Sequence, residues 1–151
     1  MIERPIRIVI TDYRSGLDSI RYVRDRVFIV EQKIAREDEL DNRDAHCIHA
    51  LALLDATAKD VAANSIPRHD QQAVGTGRLD VEKGGKVGRL AVLSEHRGHG
   101  IGKSLMQAIE QAAMQQGLPR VWFHAQRSAV PFYLSLGYKI VSEEFQEAGI
   151  P

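Results

Sequence analysis

The sequence has a single cysteine, Cys47, no excess of charge of either sign, and no apolar run near the length of a membrane span. One cysteine excludes an intramolecular disulfide, and without a companion serine-histidine-acid pattern nucleophilic catalysis has no support. The 20 basic residues balance 20 acidic ones, so there is no global electrostatic footprint for nucleic acid or an anionic membrane surface, and any anion binding must be local. A spanning helix needs roughly 20 consecutive apolar residues, and Met1-Ile2-Glu3-Arg4-Pro5 lacks the apolar stretch of a secretory signal. The expectation is a cytoplasmic protein that binds neither nucleic acid nor membrane.

What is present is an ordinary globular composition, 44% hydrophobic and 26% charged. The 151 residues suit one domain, residues 1–151, around a single core. Ile6, Ile8 and Ile10 alternate with Arg7, Val9 and Thr11 as in a strand. Leu17, Ile20, Val23, Val27 and Val30 recur at spacings of three and four and predict a helix with one buried stripe, running to about Gln32. Residues 48–54 are almost wholly apolar, as in a strand covered on both faces, and residues 55–72 read as a long excursion between strands. Strands over 74–81 and 86–93 flank Gly84-Gly85, which suits a tight hairpin turn. Ile101, Leu105, Ala108, Ile109 and Ala112 share one face of a second helix, stopped by Gly117 and Pro119. A strand over 120–126, a short helix over 129–136 and a strand over 138–141 complete the order β-α-β-β-β-α-β-α-β, an α/β fold.

Two polar clusters invite a metal and fail on spacing. The run Arg36-Glu37-Asp38-Glu39, followed by Asp41-Asn42-Arg43-Asp44, lacks the glycine that a calcium loop carries at its sixth position. Its charge density predicts a solvated surface loop. Asp38, Glu39, Asp41 and Asp44 also have the charge to attract a cationic polyamine or a lysine-bearing peptide. His46, Cys47 and His49 would fall on opposite faces of a strand and lack a fourth ligand, so no metal is expected.

The chemistry concentrates after the fourth expected strand. Arg97-Gly98-His99-Gly100-Ile101-Gly102-Lys103-Ser104 joins a strand to a helix start. Glycines let backbone amides converge, and amides at a helix N-terminus have no intrahelical acceptor, so they can donate to phosphate. By composition alone the loop suits ATP, NAD or CoA. A Walker loop needs glycine five residues before Gly102, where Arg97 stands; the dinucleotide fingerprint needs a third glycine at Lys103 or Leu105.

Arg97-x-x-Gly100-x-Gly102 does resemble the acetyl-CoA pyrophosphate loop of the GNAT superfamily of N-acetyltransferases. Leu90-Ala91-Val92 resembles the strand that pairs with the pantetheine arm in that family, and Ala129-Val130-Pro131-Phe132-Tyr133-Leu134-Ser135-Leu136-Gly137-Tyr138 resembles its second signature. Within the superfamily, Arg26-Val27-Phe28-Ile29-Val30-Glu31-Gln32 and the closing residues 143–151 are similar to the ElaA-like branch. The resemblance implies a mixed, mostly antiparallel sheet flanked by helices, the acyl-CoA N-acyltransferase fold. It also implies direct acetyl transfer from acetyl-CoA, without a metal, to a primary amine on a small molecule, polyamine or peptide. The alternative is a regulatory module that binds acetyl-CoA without turnover. A homodimer is the expected assembly, from the exposed C-terminal edge of such a sheet.

On this resemblance the cofactor residues are Leu90, Ala91, Val92, Arg97, Gly98, His99, Gly100, Ile101, Gly102, Lys103 and Gln126, the last standing where many members place an asparagine. Tyr133 is the acid for the departing thiolate, and the backbone amide of Val92 is the oxyanion donor. Glu31 and His124 are the two candidates for the general base. Glu31 is otherwise a capping or surface carboxylate, and His124 otherwise a buried, hydrogen-bonded histidine.

Overall fold

The computed structural model describes residues 6–54 and 73–141, so the excursion at 55–72 and the closing segment 143–151 lie outside the described residues. Four strands, β1 (Ile6–Thr11), β2 (Ile48–Leu54), β3 (Ala73–Asp80) and β4 (Lys86–Val92), form an antiparallel sheet in the order β1-β2-β3-β4. β2 and β3 sit at its centre, which is why nearly every side chain along them is buried. A bulge between Thr76 and Arg78 breaks the β3–β4 register, and Arg89 opposite it takes a left-handed backbone at φ 53°.

Helix α3 (Ile101–Gln115) packs across all four strands with Ile101, Leu105, Met106, Ile109, Ala112 and Ala113. Gly75 and Gly77 face it, leaving room for Leu105, Ile101 and Ile109. The opposite face of β3, carrying Thr76, Arg78 and Asp80, lies towards α1 (Leu17–Arg24) and the segment with Asp41 and Asp44 that follows α2 (Arg36–Glu39). α1 continues without a break into a π-helical turn, Asp25–Glu31. The wider turn shifts the buried stripe beyond Val23: Ile20, Val23, Val27 and Phe28 are in the core, whereas Val30, expected there, is exposed, as is Leu17 at the helix start. Helix α4 (Val130–Ser135) follows near the described C-terminal end.

Two of the expected strands do not form among the described residues. Residues 120–126 contribute only one parallel bridge, Trp122 to Lys86, and residues 138–141 have no ladder partner among the described residues. Trp122 accepts from the Val87 amide at 2.8 Å and donates to the Gly85 carbonyl at 3.1 Å, after which the two segments part. A strand exists only through its pairing, and here the pairing stops after one residue.

The expected surface loop at 36–44 is exposed at 36–38 and 40–42, but it opens with the helical turn α2 and buries two of its carboxylates. Glu39 and Asp44 are 2% and 5% exposed, and both hold Arg24, which is fully buried. Arg24 Nε donates to Glu39 at 2.6 Å and its Nη1 to Asp44 at 2.6 Å, while Arg78 Nη1 reaches Asp44 at 2.9 Å. Arg21 adds a bond to Glu39, Arg78 pairs with Asp41, and Arg43 binds Asp80 through two nitrogens. The carboxylates are therefore neutralised by arginines of the same chain, which removes the reading of Glu39, Asp41 and Asp44 as a free acidic surface for a cationic acceptor.

Candidate active site

The loop between β4 and α3 exposes a run of backbone donors. Gly98 and Gly100 have φ of 84° and 79°, a left-handed backbone that turns successive amides to one side. Among the described residues, no acceptor takes the N–H groups of residues 98–103; the first amide to be bonded is that of Ser104, to the Gly100 carbonyl. These donors are gathered at the positive end of a 15-residue helix, which adds roughly 0.3 to 2 kcal/mol for an anion.

Beside this loop the outer edge of β4 is open. The Leu93 amide donates to the Val74 carbonyl at 2.9 Å, towards β3. By the alternation of an antiparallel ladder, the polar groups of Val92 face the other way, into the gap left by the parting of residues 122–126. Leu90 and Val92 are half-buried and Ala91 is buried.

Arg97 ties the loop to two other elements. Its Nε donates to the Val92 carbonyl at 2.9 Å, and its Nη1 and Nη2 take the two Glu31 carboxylate oxygens at 2.7 Å each. Those bonds hold the Glu31 carboxyl below the usual carboxylate range and raise the Arg97 guanidinium. Glu31, expected among the candidate bases, thus has both oxygens engaged at the end of the π-helical turn. The next residue, Gln32, reaches the segment ahead of α4: its side-chain amide and that of Gln126 bond reciprocally, at 2.7 and 3.4 Å. Gln126, expected to contact the cofactor, has its amide occupied by a residue that sequence reasoning gave no role.

Tyr133 lies on α4 in a cluster of rings, with centroids 4.3 Å from Phe123 and 5.0 Å from Phe132. Burial pushes its hydroxyl up to about 12, and that hydroxyl has no hydrogen-bond partner among the described residues. A neutral, unengaged O–H is what a proton donor needs. His124, one residue from Phe123, is exposed and sets its ring edge-on to Trp122 at 5.5 Å, so the buried-histidine reading does not hold. Lys103 and His99 are also on the surface around the loop. His49, by contrast, is buried with Nε2 2.9 Å from the Asp44 carbonyl, and burial raises the Cys47 thiol to about 11. Neither is presented to the cleft as a metal ligand or nucleophile.

A donor-rich helix start beside an open strand edge, with a tyrosine on the helix that follows, is the arrangement of an acyltransferase that uses an acyl-CoA. The sequence profile of the acetyltransferase (GNAT) domain matches residues 44–151, and the chain belongs to that family. It is similar to the uncharacterised N-acetyltransferase YjcF of Bacillus subtilis, 35% identical over 97% of this chain and 95% of that one. Among solved structures it is similar to an acyl-CoA N-acyltransferase of Pseudomonas aeruginosa (26% identity, TM-score 0.75, 97% and 95% of the two chains covered). It also shares its fold with Escherichia coli ElaA (22% identity, TM-score 0.74, the same coverage), the namesake of the branch its first helix resembles.

Proposed function

We propose that this acyltransferase binds acetyl-CoA along the outer edge of β4 and moves the acetyl group directly to a primary amine. The observation that carries the reading is the run of amides at residues 98–103 with no acceptor among the described residues, adjoining the outward-facing backbone of Val92. A pyrophosphate satisfies the first, and an acylated thiol arm laid along a strand edge satisfies the second.

In this reading the amides of residues 98–103 hold the pyrophosphate, and Leu90, Ala91 and Val92 line the arm. The amine attacks the thioester carbon in its neutral form, forming the C–N bond. The Val92 N–H donates to the oxygen on which negative charge develops, a fixed dipole that needs no reorganisation. As the C–S bond breaks, Tyr133 gives its proton to the thiolate sulfur. The proton lost by the amine leaves through His124 or through water. Glu31 is the poorer acceptor, since its bonds to Arg97 favour the ionised form and weaken its hold on a proton.

The test is release of free thiol from acetyl-CoA over a panel of primary amines: small molecules, polyamines and lysine peptides. Amine-dependent thiol release supports the proposal. Tight acetyl-CoA binding with no release on the whole panel favours the regulatory module instead.

A further inference from the structure

We propose that Glu31 is a positioning residue for the cofactor loop, holding it in its anion-binding shape through Arg97 rather than taking a proton from the acceptor. The inference rests on the acetyl-CoA reading above and assigns a function to the side chain of Arg97 as well.

Arg97 uses three of its five N–H groups within the chain, one on the last carbonyl of β4 and two on Glu31. Its guanidinium therefore links three things: the end of the strand, the start of the glycine loop and the end of the π-helical turn. The phosphate donors are then the backbone amides of residues 98–103, and the arginine fixes where those amides stand.

The far end of the link is itself anchored. The Gln32 amide donates to the Val27 carbonyl at 3.0 Å and the Ile34 amide to the Phe28 carbonyl at 2.8 Å, closing the turn, and Lys33 reverses the chain at φ 59°. From this fixed turn Glu31 reaches Arg97 at the start of the glycine loop, and Gln32 reaches Gln126 ahead of α4. The widened turn presents adjacent residues to the glycine loop and to Gln126, a use consistent with the tendency of π-turns to occur at functional sites.

The pair is a poor candidate for a purely stabilising role. The Arg97 and Glu31 side chains are 43% and 41% exposed, and ion pairs in such positions add little to folding. Their two-pronged geometry instead suits orientation.

The experiment compares wild type with Glu31→Gln, Arg97→Gln and the double variant, using acetyl-CoA and acetyl-pantetheine, a donor without pyrophosphate or adenosine. For Glu31→Gln, kcat/KM and equilibrium binding should fall about tenfold for acetyl-CoA, the loss expected for a charged hydrogen-bonded pair. They should stay unchanged for acetyl-pantetheine, and the double variant should be no worse than the worse single one. The unfolding midpoint should not move. Equal losses with both donors, or Glu31→Gln binding acetyl-CoA as tightly as wild type or more tightly, overturns the proposal. Failure of wild type to bind acetyl-CoA overturns the functional reading instead, so the two failures are distinct.

Discussion

The Phe132 ring of α4 lies against Gly102 of α3, with its Cζ 3.0 Å from where a β-carbon would stand. The last glycine of the loop motif is therefore needed for packing, while Gly98 and Gly100 are needed for their left-handed backbone. A methyl group at position 102 must push Phe132, and with it the neighbouring Tyr133. Gly102→Ala should destabilise by about 1–3 kcal/mol through overpacking and lower kcat, and Phe132→Leu in the same chain should recover part of both. Denaturant unfolding and steady-state kinetics check this; a silent Gly102→Ala would show that α4 moves away freely.

Gly100 and Gly117 have nearly the same φ, 79° and 77°, but only Gly100 lies in the donor loop. Alanine at either should cost about 1–2 kcal/mol of backbone strain. Only Gly100→Ala should weaken acetyl-CoA binding, as read by calorimetry. Equal affinity losses would detach the loop amides from the cofactor.

Tyr133→Phe removes the proposed proton donor and keeps the ring cluster. kcat should fall about 10²- to 10⁴-fold, the range for general acid catalysis, with little change in the unfolding midpoint. Because burial raises the hydroxyl to about 12, the wild-type tyrosine stays protonated through pH 10. A fall of kcat between pH 8 and 10 that disappears in the phenylalanine variant would contradict that state.

Arg24 is fully buried between Glu39 and Asp44. Arg24→Met removes one charged bond from each carboxylate, leaving Glu39 to Arg21 and Asp44 to Arg78, and the loss should be about 3 kcal/mol. For Asp44, burial works to raise the carboxyl, but the bonds from Arg24 and Arg78 prevail and lower it; Asp41 is lowered likewise, chiefly against its own burial, by Arg78. A folded value below the unfolded one gives stability that is present above the ordinary 3.8 and lost as the pH falls further. Urea midpoints measured from pH 7 down should hold until near pH 4 and then drop, more shallowly for Asp44→Asn.

Much of the scaffold was legible because it follows local periodicity. The alternating isoleucines of β1, the apolar run of β2 and the stripe of α3 each announce their element. The turn from β4 into α3 was legible through its glycines, whose spacing differs from that of the Walker and dinucleotide loops. Within the charged stretch at 36–44 the burial of Glu39 and Asp44 was not legible, because their neutralising partners, Arg24 and Arg78, lie far away in sequence and no local pattern links them. For the same reason the engagement of Glu31 by Arg97 and of Gln126 by Gln32 was hidden. The strand over 120–126 looked sound by its side chains, yet strand formation depends on a neighbouring edge, and β4 pairs with it only at Trp122.

The most direct test of the central claim is the effect of acetyl-CoA, ATP and NAD, each alone, on the thermal unfolding of the whole chain. A ligand present at 100 times its Kd stabilises by about 2.7 kcal/mol, which such a scan resolves readily. The account predicts a concentration-dependent rise in Tm with acetyl-CoA, lost in Gly100→Ala, and none with ATP or NAD. A rise with ATP and none with acetyl-CoA at millimolar concentration would contradict it.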